Sequence, residues 1–304
     1  MTETLRIATR QSKLALWQAN FVRDQLQAAH PGLVVELVGM TTKGDRWLSA
    51  PLSEIGGKGL FIKELEAALL AGDADIAVHS MKDLPAEIPA GFDLPVIAYR
   101  APVEDVLISS AGGLAELPVG ATVGSSSLRR KAQLLKQRAD LNVLPIRGNV
   151  DTRLSKMIAG EYDAIVLAVA GLQRLELEPA GMHVLDTDLC LPAPGQGALG
   201  IECLADSPAA ALLKPLADSS VARCVLAERA ISTGFGADCS LPIAALAEPE
   251  ADGALRLRAR VGAEDGSRIL HAQAVGPEPE AVAAAVLASL REQGADALLN
   301  NRPG

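Results

Sequence analysis

The sequence predicts an α/β protein with two similar lobes and a small α+β domain at the C-terminal end. Apolar residues make up 49% and charged residues 21% of the 304 residues, as in folded globular proteins. Short apolar runs alternate with stretches of helical periodicity before about residue 215, which is typical of α/β folds. Single domains commonly have roughly 100–200 residues, so we expect more than one domain.

The first lobe is predicted to contain strands that alternate with helices. In chain order these are a strand at 5–9, a helix with apolar residues at 14, 17 and 21, a strand at 34–38, a helix that ends near Gly72 and a strand at 75–78. Residues 42–59 are polar and interrupted by glycines, which indicates a long loop. Loops of this length are often functional.

The second lobe repeats the plan of the first. A strand at 121–124 leads through serines into a helix, and residues 71–78 resemble 159–166, each a helix end followed by an apolar strand. Short windows of unrelated αβ units also look alike, so a duplicated architecture is the favoured interpretation and not the only one. Prolines and glycines at 99–102 and 191–197 predict two hinge crossings between the lobes.

The pattern changes again after residue 217. A helix is followed by an alternating strand at 255–261, a hairpin turn at 264–267, a second strand and a last helix, which together predict a small α+β domain. The predicted organisation is domain 1 at 1–98, domain 2 at 99–195, a return segment to domain 1 at 196–217 and domain 3 at 218–304.

Charge and composition exclude several classes of function. The net charge is -9 and aromatics make up only 3%, so neither electrostatic attraction to nucleic acid nor base stacking is expected. No apolar run approaches the roughly 18 residues of a membrane span, and the first residues lack the pattern of a secretory signal, so we expect a cytoplasmic protein. The four cysteines and four histidines are scattered, which predicts neither a disulfide framework nor a metal site.

Arginines recur where a predicted strand turns into a helix. Arg10 and Ser12 occupy the first such turn, residues 125–130 the equivalent turn of the second lobe, and Arg147 and Arg153 follow a later strand. A helix N-terminus favours an anion by only about 0.3–1 kcal/mol, whereas a charge-assisted hydrogen bond contributes about 1.5–3 kcal/mol. The arginines therefore predict a small ligand rich in carboxylates, although any one of them alone is equally compatible with a solvated helix face.

Two further residues are candidates for chemistry. Asp83 lies in the loop 79–85 after a buried strand, where open α/β sheets bind ligands, although an aspartate before Leu-Pro also caps turns. Cys239 lies in a glycine-containing loop, which suits covalent chemistry better than the apolar helix face that carries Cys224.

Six motifs in order carry a family resemblance: RIATRQS at 6–12, GGKGLF at 56–61, AVHSMKD at 77–83, GSSSLRR at 124–130, RGNVDTRL at 147–154 and PGQGA at 194–198. With these motifs the chain resembles the porphobilinogen deaminases, or hydroxymethylbilane synthases, of tetrapyrrole (heme) biosynthesis. The resemblance spans nearly the whole chain.

The resemblance implies two periplasmic-binding-protein-like lobes joined by hinge strands, and a third domain with the cofactor cysteine. It implies that Cys239 holds a dipyrromethane cofactor through a thioether. Four units of the substrate porphobilinogen would be joined to this primer with loss of ammonia, and hydrolysis would release hydroxymethylbilane. A monomer that binds no nucleic acid and no membrane is expected.

The resemblance also implies roles for individual residues. Residues implied to hold the cofactor are Lys82, Asp83, Ser127, Arg129, Arg130 and Arg174. Residues implied to face the substrate are Arg10, Ser12, Gln18, Arg147 and Arg153. Asp83 and Arg10 would be catalytic, with Asp83 stabilising the cation that forms when ammonia leaves, and Lys58 and Phe61 would belong to a lid loop.

One feature departs from the family pattern. Ala237 and Asp238 stand before Cys239, where the family usually has two glycines. An acidic neighbour disfavours a thiolate, so the departure concerns how readily the cofactor attaches. Two rivals remain, a non-catalytic two-lobed binding protein and an anion-binding regulatory domain, and the second predicts a DNA-binding motif that the sequence lacks.

Overall fold

The computed structural model describes residues 4–42, 62–236 and 241–300. The chain divides into two compact units, one made of Met1–Ala101 and Gly197–Arg223, the other of Pro102–Gln196 and Cys224–Gly304. The described residues form two five-stranded sheets and one three-stranded sheet, with helices packed against them. This confirms the predicted fold class of two α/β lobes and a small α+β domain.

The strands, in chain order, are β1 (Thr4–Arg10), β2 (Val34–Met40), β3 (Ile76–Ser80), β4 (Phe92–Ala98), β5 (Asp105–Ser109), β6 (Thr122–Gly124), β7 (Asn142–Leu144), β8 (Ala164–Ala168), β9 (Met182–Leu185), β10 (Leu199–Leu204), β11 (Ile243–Pro249), β12 (Leu255–Gly262) and β13 (Ile269–Gly276). The α-helices are α1 (Lys13–Ala29), α2 (Lys63–Ala71), α3 (Leu128–Gln137), α4 (Val150–Ile158), α5 (Val169–Arg174), α6 (Ala209–Leu213), α7 (Ser219–Gly234), α8 (Pro279–Glu292) and α9 (Ala295–Asn300). Short 3-10 turns span Met81–Asp83 and Lys214–Leu216. None of these described helices is both long enough and apolar enough to cross a membrane.

The first unit has the strand order β2-β1-β3-β10-β4. Strand β1 is parallel to β2 and β3, whereas β10 is antiparallel to both of its neighbours. Successive residues of a strand point to opposite faces, so Ile7 packs in the core that contains Val22 of α1, and Ala8 packs in the core that contains Leu65 of α2. Both faces of this sheet are therefore covered.

The second unit contains a sheet of the same plan. Its order is β7-β6-β8-β5-β9, with β6 parallel to β7 and β8, and with β5 antiparallel to β8 and β9. In both sheets the first strand of a βαβαβ run lies between the second and the third, and an antiparallel strand follows. The two lobes thus share their topology, as the repeated sequence pattern predicts.

The C-terminal sheet is an antiparallel meander with the order β11-β12-β13. Along β12 the residues Leu255, Leu257 and Ala259 are buried, and the arginines between them are not fully buried, as the alternating pattern predicts. Gly266, with φ 71°, lies in the turn between β12 and β13. Strand β11 was not predicted, because its apolar run has no polar alternation.

The helical periodicity predicts α1 correctly but places its buried face one residue away. The fully buried residues of α1 include Gln18, Ala19 and Val22, whereas the predicted Trp17 and Phe21 are only half-buried. The rings of Trp17 and Phe21 stack with centroids 5.2 Å apart. Large rings at the edge of a helix face therefore shift the apparent centre of the apolar pattern.

Candidate active site

Two parallel strands of the first unit end at the same edge of their sheet. Strand β1 ends at Arg10, and Ser12 caps α1 by accepting a hydrogen bond at Oγ from the Ala15 amide, 3.3 Å away. The neighbouring strand β3 ends at Ser80 and runs into the turn that carries Asp83. This edge, at the carboxyl ends of parallel strands, is where open α/β sheets bind ligands.

A pocket lies at this edge and brings predicted site residues together. Its polar lining residues are Arg10, Ser12, Gln18, His79, Ser80 and Asp83. The Gln18 side chain is only 4% exposed, and its Nε2 donates to Ser80 Oγ over 2.7 Å. Lys82, although next to Asp83, is half-buried in the turn and is not one of the lining residues of this pocket. The pocket thus combines a guanidinium, neutral donors and a carboxylate.

The turn that carries Asp83 is anchored by its first residue. Met81 is fully buried, and its amide donates to the Ala198 carbonyl over 3.0 Å. Gly200 lies directly behind it, where a Cβ would collide with the Met81 Sδ atom. A residue without a side chain is therefore required at position 200 for the turn to take this position.

Sequence reasoning missed a buried acid–base pair beside the pocket. His79 Nε2 lies 2.9 Å from Glu202 Oε2, and the two residues are 6% and 0% exposed. The other carboxylate oxygen, Oε1, is buried and has no hydrogen-bond partner among the described residues. Burial and the charge of Glu202 raise the pKa of Glu66, which belongs to α2. The signal that could have found the pair is an acid, Glu202, inside an otherwise apolar strand.

In the second unit the predicted arginines Arg129 and Arg130 are bound to one buried aspartate. Arg129 Nη2 lies 2.8 Å from Asp105 Oδ2, and Arg130 Nη2 lies 2.7 Å from Asp105 Oδ1. Burial alone would raise the pKa of Asp105, but the charges of both arginines outweigh it and hold the pKa well below its usual range. Ser127 caps the same helix, α3, accepting at Oγ from the Arg130 amide over 3.4 Å. Asp105 was not among the predicted residues.

This cluster carries an excess of positive charge. Two guanidinium groups face one carboxylate, and the nearby Cys190 thiol stays neutral because burial raises its pKa to about 12. The Nε–H groups of Arg129 and Arg130 are buried and have no acceptor within the described part of the chain. Buried donors and an unbalanced charge favour a further anionic acceptor, which is the chemistry of a ligand carboxylate.

The other predicted arginines of this unit lie at helix ends. Arg153 is in the first turns of α4 and donates from Nε to the Gly148 carbonyl over 2.8 Å, and Arg147 is half-buried just before that helix. Because β6 and β7 are parallel, the turn after β6 and the turn after β7 lie at one edge of the sheet. Arg174 ends α5 and is buried, which lowers its pKa to about 10.

The cysteines separate into two groups. Cys190, Cys203 and Cys224 are free and buried. Burial raises the pKa of Cys203 to about 11, so this thiol is a weak nucleophile. Cys239, like the predicted lid residues Lys58 and Phe61, lies outside the described residues.

Comparisons with known proteins bear on what these residues do. Residues 5–211 match the family model described as porphobilinogen deaminase, dipyromethane cofactor binding domain, and residues 222–292 match porphobilinogen deaminase, C-terminal domain. The chain is also similar to two solved structures with TM-scores below 0.5. One is the periplasmic aliphatic sulphonate binding protein SsuA from Escherichia coli, with 17% identity, coverage of 77% of this chain and 70% of that chain, and a TM-score of 0.41. The other is the BvgS VFT2 domain of Bordetella pertussis, with 16% identity, coverage of 69% and 84%, and a TM-score of 0.40. By its match to both family domains, the chain belongs to the porphobilinogen deaminase family, the hydroxymethylbilane synthases of tetrapyrrole synthesis.

Proposed function

We propose that this chain joins four porphobilinogen units in sequence, with loss of ammonia, and releases hydroxymethylbilane by hydrolysis. The observation that carries the proposal is the pocket that brings Arg10, Ser12 and Gln18 together with Asp83. Porphobilinogen has carboxylates for the first three residues to bind and an aminomethyl pyrrole for the aspartate to act on. A pocket for a neutral or purely cationic ligand would not need this combination.

The residues of the first unit are proposed to bind the substrate and stabilise charge. Arg10 offers a guanidinium, which pairs with carboxylates in a bidentate manner, and Ser12 offers a hydroxyl beside a helix N-terminus. Asp83 supplies negative charge where the pyrrole becomes positive as ammonia leaves, and a fixed charge of this kind lowers the barrier most when water is excluded. Gln18 is held by Ser80 and completes the polar lining.

The residues of the second unit are proposed to hold carboxylates of the dipyrromethane cofactor. When bound, this dipyrromethane would supply the pyrrole carbon to which the first substrate unit is joined. Residues assigned to the cofactor are Ser127, Arg129, Arg130 and Arg174, with Lys82 and Asp83 of the first unit, and those assigned to substrate carboxylates are Arg147 and Arg153. The excess positive charge and the buried Nε–H donors beside Asp105 support this assignment.

Cys239 is proposed to be the attachment point, through a thioether. The three described cysteines are buried in the protein interior, so none of them is suited to carry a ligand of two pyrrole rings. Intact-mass spectrometry of the purified protein tests the proposal, with Cys239→Ala compared against Cys224→Ala. We expect an adduct of two pyrrole units on the wild type and on the Cys224 variant, and none on the Cys239 variant. An adduct that survives Cys239→Ala would refute the assignment.

The same measurement separates the enzyme from its rival. A non-catalytic two-lobed binding protein predicts an unmodified mass and stoichiometric binding of porphobilinogen without release of ammonia. The proposed enzyme releases ammonia with every unit that it adds. Arg129→Leu is expected to abolish the adduct while the apoprotein remains detectable, and normal loading of that variant would remove Arg129 from the set of cofactor residues.

We further infer that the protein is a cytoplasmic monomer with no nucleic-acid or membrane partner. The net charge of -9 supports the part of this inference that concerns nucleic acid, because a negative protein is not attracted to the phosphate backbone. Sedimentation analysis of the holoenzyme should give a single species of 31.6 kDa plus the cofactor. A stable dimer would contradict the monomer.

A further inference from the structure

The His79–Glu202 pair is a buried acid–base pair with access to the pocket of the first unit. His79 lies on β3 and Glu202 on the adjacent antiparallel strand β10. Both side chains point to the α2 face of the sheet, because Ala77 and Leu204, two positions away along each strand, pack in the core on that face. His79 also lines the pocket that contains Asp83.

The hydrogen bond to Glu202 determines which ring nitrogen of His79 is available. A carboxylate can only accept, so the Nε2 atom that lies 2.9 Å from Glu202 carries the proton in the neutral ring. Among the described residues, Glu202 is the residue to which the His79 ring is hydrogen-bonded. The second nitrogen, Nδ1, is then the basic atom of this pocket-lining residue. A base oriented by a carboxylate is a recurring arrangement in enzyme sites.

Several charges act on this ring. Glu202 contacts it directly, and Glu66 on α2 interacts with both members of the pair. Arg10 and Asp83 face the same pocket from β1 and from the turn after β3. Glu202 Oε1 has no hydrogen-bond partner in the described part of the chain, so the contact of this carboxylate is the one that Oε2 makes with the His79 ring.

We propose that His79 is a further catalytic residue, which accepts at Nδ1 the proton lost from a pyrrole ring carbon as each carbon–carbon bond forms. Glu202 is the positioning residue that fixes the ring. The inference rests on the proposed function.

The electrons and protons balance in each addition. The C–N bond of the aminomethyl group, which is protonated as an ammonium, breaks, and its electron pair leaves with ammonia. A ring carbon then forms the new C–C bond and loses its C–H proton to His79, which releases that proton to solvent. Asp83 stabilises positive charge throughout and does not need to change its protonation state.

Variants of three residues test the proposal. His79→Gln removes the base, Glu202→Gln removes the anion, and His30→Gln is the matched control, because His30 belongs to the same unit but bonds through Nε2 to the Leu212 carbonyl over 2.8 Å. Each purified variant is measured by intact mass, by kcat and KM across pH, and by nitrogen NMR of the imidazole rings. Mass and NMR report independently of turnover.

All three variants should carry the cofactor adduct. His79→Gln should lower kcat about 100-fold with KM unchanged, and should remove the acidic limb of its pH profile. Glu202→Gln should keep a kcat above that of His79→Gln but lose the preference for a proton at Nε2 in the NMR spectrum, because an amide can donate to the ring as well as accept from it. His30→Gln should behave as the wild type. In the wild-type NMR spectrum, the neutral His79 ring should carry its proton at Nε2.

Distinct results would overturn the proposal. If kcat of His79→Gln equals that of His30→Gln, then His79 does not transfer the proton. If Glu202→Gln keeps the wild-type preference for a proton at Nε2, or if NMR finds the proton at Nδ1 of neutral His79 in the wild type, then Glu202 does not position the ring as proposed. Loss of the adduct in His79→Gln alone would assign the histidine a structural role. A wild type without any adduct would instead contradict the function proposed for Cys239.

Discussion

Replacing Asp105 by asparagine should destabilise the second unit strongly. The carboxylate is fully buried and receives Arg129 at 2.8 Å, Arg130 at 2.7 Å and the Gln196 Nε2 at 2.9 Å. Asparagine keeps the shape but removes the negative charge, so two guanidinium groups remain buried without a counter-ion. Removing one partner of a buried ion pair lowers the free energy of unfolding by about 3–5 kcal/mol. At about 2–4 °C per kcal/mol, the melting temperature of this unit should fall by roughly 6–20 °C.

Urea unfolding followed by circular dichroism measures this loss, and Asp140→Asn is the matched control. Asp140 pairs with Arg138 at 2.7 Å in the same unit, but this pair is exposed to solvent, so its removal should cost only a small fraction of the Asp105 effect. If the two variants are equally stable, the reasoning from burial is refuted.

The Asp105 pair also predicts how stability changes with pH. The pKa of Asp105 is lowered in the folded state from its ordinary 3.8, so its stabilising contribution is present above about pH 4 and is lost as the pH falls below that value. The Asn variant lacks this contribution at every pH. The difference in unfolding free energy between wild type and variant should therefore shrink on acidification, and a constant difference would contradict the linkage.

Three further changes have defined outcomes. Gly200→Ala should displace Met81 and with it the turn that carries Asp83. The free energy of unfolding measured in urea should fall by about 1–3 kcal/mol, and kcat should fall while the cofactor still attaches. An unchanged kcat would mean that the turn tolerates the shift. Asp83→Asn should retain the adduct and substrate binding but lower turnover about 100-fold in a stopped assay, with the exposed Asp93→Asn as control. Burial raises the pKa of Cys190 to about 12, so this thiol should resist alkylation at pH 8 in the folded protein and react after unfolding. Peptide mass measures the modification, and rapid modification of the native form would show that the thiol is accessible.

Much of the fold follows from the sequence because its local signals agree with its packing. The runs that predict β1 and β3 are buried on both faces, and Gly72 ends α2 in the left-handed conformation, with φ 72°, that its position predicts. Strands β5 and β10 were not predicted. Strand β5 is apolar apart from Asp105 and Ser109, and β10 is apolar apart from Glu202. Each is short and occupies an interior sheet position that only long-range pairing specifies.

Less of the candidate site than of the fold could be predicted from the sequence. Arg10, Ser12 and Asp83 meet at one sheet edge because parallel strands end there, which spacing along the chain can indicate. An acid in an apolar strand marks Glu202 as unusual, but the roles of Glu202 and Asp105 come from partners 123 and 25 residues away, which local pattern does not identify. The roles of the individual arginines in holding cofactor or substrate remain predictions.

The position of β10 has a consequence for how the protein is made. This strand lies between β3 and β4 and is the sheet neighbour through which β4 joins the rest of the sheet, yet it is encoded about 100 residues after β4. A nascent chain that has emerged as far as residue 195 thus has all the strands of the second unit's five-stranded sheet, whereas the sheet of the first unit still lacks an interior strand. During synthesis, β4 must wait with an unpaired edge, the kind of exposed edge that chaperones protect. The first unit, which begins the chain, can therefore complete its sheet only after all the strands of the second unit's five-stranded sheet have been made.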